Sequence, residues 1–227
     1  MYLTIIKERN APGNFSERLQ LSNSIAKARK KYGNLSNEQN VHRMVCHMFS
    51  GSEGTKRENE HLLYRKVSPS GSILYIQSDN EVDKGNVEKL GYRIVQQLNL
   101  NSLINASVEN GSYVLLNAKW APTKTVNGKK ISIIDEDERI QWVKRKAEEA
   151  GFEIHDLNET STDHIKFDHN PKYFNRNKAA YINAFTYHMF AKVTDVEKFR
   201  TAIQNGIGRG RAYGCGMTLF KPVYVEE

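Results

Sequence analysis

Apolar positions fall at helical spacing between residues 36 and 51. Val41, Met44, Val45, Met48 and Phe49 follow at i, i+3, i+4, i+7 and i+8 and line one face of an α-helix. Ser36 and Gln39 form a capping box ahead of it, and Gly51 stops it. His42 lies about 100° round from Val41, on the rim of the apolar face, with Gln39 and Cys46 on the same flank. Before this helix, Tyr2 to Lys7 reads as a strand and Asn10 to Gly13 as a break. Phe15, Leu19 and Ile25 then mark a weaker helix that ends in Lys27, Arg29, Lys30 and Lys31. After it, His61 to Lys66 and Ser72 to Gln77 read as a hairpin around Ser68-Pro69-Ser70-Gly71. Val87, Leu90, Ile94, Val95 and Leu98 are assigned to one helix, and Tyr113 to Lys119 to a strand. The order is strand, helix, hairpin, helix, strand, the βαββαβ order of ferredoxin-like domains.

The same order recurs further on. Ala121 to Gly128 is either an inter-domain link or, with Asn127-Gly128 as its turn, part of a hairpin; the pattern fits both. Lys130 to Ile134 reads as a strand. Asp135 caps a helix carrying Ile140, Val143 and Ala147, which Gly151 closes. Phe152 to His155 starts a strand, residues 156–180 look polar and irregular, and Ala180 to Val193 is a long strand. Thr194 with Glu197 forms a capping box for a helix carrying Val196, Phe199 and Ile203, and Met217 to Val225 is the closing strand. The expected class is α+β, two tandem ferredoxin-like (RRM-like) domains spanning 1–121 and 122–227.

Composition narrows the function. The 227 residues can bury one large core or two smaller ones. With 39% hydrophobic and 26% charged residues the chain folds rather than staying disordered. A net charge of +7 favours a polyanionic partner, nucleic acid or anionic membrane. No apolar run reaches the length of a membrane span, and the start reads as a strand, so a cytoplasmic protein with no membrane partner is expected. Two cysteines without a CxxC pattern give no disulfide framework and no zinc site. No metal and no cofactor are expected.

Between the last helix and the last strand lies the run from Ile203 to Gly216, which holds Gly206, Gly208, Gly210, Gly214 and Gly216 beside Arg209, Arg211 and Tyr213. A nucleotide-cofactor loop runs from strand to helix, so that phosphate meets a helix N-terminus. This one runs from helix to strand and lacks Gly-Lys-Ser/Thr, which rejects that reading. It is either a glycine-rich helix cap or a backbone able to approach a ligand closely beside two guanidinium groups. The segment from Lys166 to Lys178 mixes Lys166, Lys172, Arg176 and Lys178 with Phe167, Tyr173 and Phe174. It reads either as a solvated loop or as a basic hairpin gripping an RNA stem. Lys119, Lys124, Lys129 and Lys130 form a second basic patch of lower specificity. Of the seven histidines, His42 has the most telling setting, because an apolar border can desolvate it while leaving it reachable. His42 and His47 do not share a face and make a poor metal pair.

Gly206-Ile-Gly208 and Gly214-Cys215-Gly216 ahead of Lys221-Pro222-Val223, the opening Met1-Tyr2-Leu3, His42-Arg-Met-Val-Cys-His47-Met-Phe49 and Arg139-Ile-Gln-Trp142 together resemble the CasE family of CRISPR RNA endonucleases. The resemblance implies two ferredoxin-like domains and cleavage of the repeat stem-loops of a CRISPR precursor transcript. It also implies retention of the product hairpin within a Cascade complex alongside other Cascade subunits. The family's catalytic histidine, in a His-x-x-x-x-x-x-Phe helix, corresponds to His42. Gln39 stands where many members have a tyrosine, and residues 8–35 add a segment before that helix. Lys172, Arg176 and Lys178 are then expected near the scissile phosphate. Arg209 and Arg211, presented by Gly206, Gly208, Gly210 and Gly214, are expected to hold the RNA backbone. The 2′-OH of the RNA supplies the nucleophile, so no metal is implied.

Overall fold

The computed structural model describes residues 1–9, 15–33, 37–49, 61–67, 72–167 and 180–224. The chain divides into two compact units, Met1–Leu100 and Asn101–Glu227. The first contains β1 (Tyr2–Glu8), α1 (Phe15–Tyr32), α2 (Glu38–Cys46), β2 (Leu63–Lys66), β3 (Ile73–Ser78), α3 (Lys84–Lys89) and β4 (Tyr92–Asn99). Its antiparallel sheet runs β2-β3-β1-β4. Alternation along β1 turns Thr4 and Ile6 inward. Ile6, Leu74 and Ile76 pack with Val41, Met44 and Val45 of α2 in one buried cluster.

The second unit contains α4 (Leu100–Ser107, which starts at the division), β5 (Tyr113–Trp120), β6 (Thr123–Val126), β7 (Lys129–Ser132), α5 (Glu136–Glu149), β8 (Phe152–Phe167), β9 (Ala180–Val193), α6 (Val196–Asn205) and β10 (Thr218–Val223). Its antiparallel sheet runs β10-β5-β9-β8. Val114, Leu116, Ala118 and Trp120 alternate inward along β5 and are buried, as are Trp142 and Val143 of α5 and Phe199 and Ile203 of α6. Trp120 meets Trp142 edge-on at 6.2 Å, and Phe152 meets Phe199 at 6.0 Å. In each unit the first and third strands lie at the centre of the sheet, so the chain is two ferredoxin-like domains.

Several elements differ from expectation. The stretch from Val87 to Leu98 is a short helix followed by a strand, because α3 gives way at Gly91 (φ +85°). β4 therefore closes the first sheet. The strand at Tyr113, expected to close it, instead opens the second sheet, paired with β9 and β10. The division thus falls at Leu100 rather than at residue 121. Lys129–Ser132 is half of a two-stranded ribbon with β6, and Asn127 (φ +48°) and Gly128 (φ +73°) give its turn the double positive φ of a type I′ hairpin. β8 runs on through residues expected to be irregular, bending at bulges between Ile154 and Asp156 and between Glu159 and Ser161. The cap of α6 is Asp195 rather than Thr194: its carboxylate accepts from the N–H groups of Glu197 (3.1 Å) and Lys198 (3.0 Å). Among the described residues, no helix is long and apolar enough to cross a membrane.

Candidate functional site

α2 opens at Asn37, whose Oδ1 accepts the N–H of Gln39 at 2.8 Å. Ser36, the expected cap, lies outside the described residues, as does Gly51, the expected stop; α2 ends earlier, at Cys46, with His47 as its cap. Glu38 and His42 are four residues apart on α2 and so share a face. Tyr64 and Lys66 are two apart on β2 and share a face there. The two pairs meet. The fully buried Tyr64 donates its hydroxyl to the main-chain oxygen of Glu38 at 2.7 Å, and the same hydroxyl lies 3.3 Å from Glu38 Oε2. Lys66 Nζ sits 3.0 Å from Glu38 Oε1, and both side chains are nearly buried. The imidazole of His42 lies beside the Tyr64 ring, with centroids 6.1 Å apart and planes 23° from parallel. Cys46 Sγ is 3.9 Å from His42 Nε2. His42 is half-buried. It combines a packed ring face with remaining access to solvent, a setting suited to proton transfer at a bound substrate.

The other described histidines have structural surroundings. His47 Nδ1–H donates to Arg43 O at 2.8 Å. His61 pairs with Asp79 at 2.5 Å, and His164 with Asn183 at 2.6 Å. His155 packs on Tyr113 and Phe190, and His188 meets the Asn117 amide at 3.0 Å. His169 lies outside the described residues. Among the described residues, no three His, Cys, Asp or Glu side chains are grouped to hold a metal.

The helix-cap reading of the glycine run holds at Gly206. Gly206 caps α6, its N–H donating to Ala202 O at 2.9 Å. The run folds back through Ile207 N–H to Gly216 O and Gly216 N–H to Lys119 O. A Cβ at Gly208 (φ +83°) would stand 3.1 Å from the Trp142 ring, so closeness here is packing against α5. Gly210 and Gly214 flank a single 3₁₀ turn, Arg211–Tyr213, and both are left-handed. Burial raises the Tyr213 phenol above the ordinary tyrosine range. Arg209 is exposed, whereas Arg211 is half-buried and donates from Nε to Gly208 O at 3.2 Å. Arg211 also lines a cleft of about 450 Å³ with Lys146, Lys198, Asn205, Gly206 and Gly208. Two of that cleft's cations are engaged by carboxylates, Lys146 by Glu149 and Lys198 by Asp195.

In the second basic patch, Lys119 pairs with Asp163 at 3.1 Å and Lys124 pairs with Glu138. Lys129 and Lys130 are exposed on β7. Arg139 makes a two-pronged pair with Glu159 (3.0 and 2.9 Å), donates to Ile134 O and stacks on Phe185 at 4.2 Å. Its pKa is raised above the ordinary arginine value, first by the hydrogen bond to Glu159. Lys172, Arg176 and Lys178 lie outside the described residues. Sequence reasoning missed Glu38, Tyr64 and Lys66. The i, i+4 and i, i+2 spacings were visible, but only the docking of α2 on β2 makes them one site.

A family model described as "CRISPR associated protein" matches residues 15–222. No curated protein matches the sequence. Among solved structures, the fold is similar to CRISPR endoribonuclease Cse3 bound to a 19-nucleotide RNA, at TM-score 0.75 and 17% identity, covering 98% of this chain and 100% of that one. It is also similar to Thermus thermophilus Cse3 bound to an RNA representing a pre-cleavage complex, at TM-score 0.70, 16% identity and 97% and 98% coverage. The CRISPR-associated protein Cas6e of Escherichia coli K-12 superimposes at TM-score 0.67 with 16% identity, covering 98% of this chain and 100% of that one.

Proposed function

The chain belongs to the CRISPR-associated protein family, and on that premise we propose that it is an endoribonuclease of CRISPR precursor RNA that cuts at repeat stem-loops. The observation that carries this reading is the likeness of nearly the whole chain to CRISPR endoribonucleases captured with RNA. The mature hairpin stays bound after cleavage and joins a Cascade-type assembly with other subunits. Similarity to a chain of a CRISPR RNA-guided surveillance complex, at TM-score 0.63, supports that step.

The reaction follows from RNA chemistry. The 2′-oxygen next to the scissile phosphate attacks phosphorus in line, and the bond from phosphorus to the 5′-oxygen breaks. The products are a 2′,3′-cyclic phosphate and a 5′-hydroxyl. One proton leaves the 2′-OH and one reaches the departing 5′-oxygen. His42 carries one of these transfers, an imidazole task worth about 10²–10⁴-fold. The nucleophile is internal to the substrate, so no metal is required. Lys172, Arg176 or Lys178 offsets the charge developing on the phosphate. Arg209 and Arg211 hold the RNA backbone, on a loop shaped by Gly206, Gly208, Gly210 and Gly214.

The test is cleavage of a repeat stem-loop in EDTA by wild type and by His42→Ala, with a parallel substrate carrying a single 2′-deoxy at the scissile position. Wild type cleaves. His42→Ala binds without cleaving, and the deoxy substrate stays intact. Activity lost in EDTA and restored by Mg²⁺ overturns the metal-free mechanism. Tight hairpin binding with no wild-type cleavage makes the protein a hairpin-binding subunit, a reading that Gln39 in place of tyrosine favours.

A further inference from the structure

We infer that Glu38, Tyr64 and Lys66 are positioning residues for His42, a buried brace that fixes the imidazole where it exchanges a proton with RNA. The inference rests on the reading of His42 as the proton-transfer group.

The contacts form a closed path. α2 supplies Glu38 and, one turn on, His42. Tyr64 reaches from β2 to the main-chain oxygen and carboxylate of Glu38. The same ring, so fixed, lies against the imidazole. The phenol is therefore held at its tip by the first turn of α2 and supports the second turn with its face. Lys66 completes the path by balancing the carboxylate at 3.0 Å. Without it the brace would contain an uncompensated buried charge.

Packing alone does not call for this arrangement. Val41, Val45 and Leu62, in the same buried cluster as Tyr64, are apolar and fully buried. Apolar replacements for a buried ion pair are commonly neutral or stabilising. What the ion pair and phenol add is direction: the main-chain oxygen and carboxylate of Glu38 fix the tip of the Tyr64 ring. A group that transfers a proton in line with a phosphate gains from that definition, since a misplacement of about 1 Å can cost about 100-fold in rate. The Tyr64 hydroxyl is committed to Glu38 and its residue is fully buried, so Tyr64 acts through His42 rather than on RNA.

The experiment is single-turnover cleavage of a repeat stem-loop by wild type, His42→Ala, Tyr64→Phe, Glu38→Gln, Lys66→Met and Lys66→Arg. Hairpin Kd and thermal unfolding are measured on each. Tyr64→Phe, Glu38→Gln and Lys66→Met are expected to slow cleavage by about tenfold or more, with Kd within about threefold of wild type. Lys66→Arg keeps the charge opposite Glu38 and is expected to hold the rate to within about threefold of wild type. Tyr64→Phe, Glu38→Gln or Lys66→Met proteins that fold, bind the hairpin and cleave at the wild-type rate overturn the brace, as does a rate loss in Lys66→Arg as large as that in Lys66→Met. Should Glu38→Gln or Lys66→Met not fold, Tyr64→Phe and Lys66→Arg decide the matter by the same rate criteria. If His42→Ala itself cleaves like wild type, the failure belongs to the reading of His42. If His42→Ala is inactive and the brace variants are wild-type in rate, only the brace fails.

Discussion

Gly151 and Gly128 share nearly the same φ, +77° and +73°, in opposite surroundings. A Cβ at Gly151 would stand 2.4 Å from Asp195 O and 2.8 Å from Lys198 Cβ, whereas one at Gly128 would meet nothing within 4 Å. Gly128→Ala therefore incurs only the left-handed backbone penalty, about 1 kcal/mol. Gly151→Ala adds a collision with main-chain atoms and is expected to cost more than about 3 kcal/mol. Urea unfolding midpoints compare the two, and equal losses would contradict the packing argument. In the sequence both glycines are plain punctuation, one a turn and one a helix stop. That Gly151 also lets α6 start against the end of α5 depends on contacts between residues more than forty apart, which local pattern does not carry. His42 was legible to the extent that it borders an apolar stripe. Its companions were not, because Tyr64 lies in a hairpin strand whose facing side is decided by the sheet.

At the scale of elements, caps and periodicity differ in how well they can be read. The stripe of α2 is legible because Val41, Met44 and Val45, with buried Met48 and Phe49 just past the helix end, fit the helical period. The stretch from Val87 to Leu98 is ambiguous because Ile94 and Leu98, four apart, fit the helical period, while a bulge at Val95 sets them opposite Ile6 and Leu3, on different faces, and hides the strand alternation. β8 was under-read because it is an edge strand, and Asp156, Asn158 and Glu159 hide its alternation. For α6, Thr194 and Asp195 are both competent caps, and the one-residue choice falls to the carboxylate. The backbone N–H of Lys198 is the first cause that holds Asp195 below the usual carboxylate range, helped by the Lys198 ammonium. A depressed carboxylate pKa contributes stability above its unfolded value, and that contribution disappears as pH falls through the folded value. The gap in Tm between wild type and Asp195→Ala should therefore be widest near neutral pH and narrow in acid below about pH 4. A gap independent of pH would remove the charge from the cap's role and leave only its hydrogen bonds.

Across the whole molecule, the surplus of 33 Lys and Arg over 26 Asp and Glu has to be located before it explains a polyanionic partner. Part of the described positive charge is already matched: Lys66, Lys119, Lys124, Arg139, Arg145 and Lys146 each face a carboxylate. The segment from Lys166 to Lys178 differs in composition, with Lys166, Lys172, Arg176 and Lys178 against Asp168 alone. If that segment grips the RNA stem, each phosphate contact releases a counterion and steepens the dependence of affinity on salt. Removing two contacts with Arg176→Ala and Lys178→Ala should then lower the magnitude of the log Kd against log salt slope by about 2. A loss of fold or shape would weaken binding at every salt concentration and leave the slope in place. A shallower slope therefore locates charge at the interface, where lower affinity alone does not. An unchanged slope would take Arg176 and Lys178 out of the phosphate contacts and leave exposed Arg209, Lys129 and Lys130 as the next cations to test in the same way.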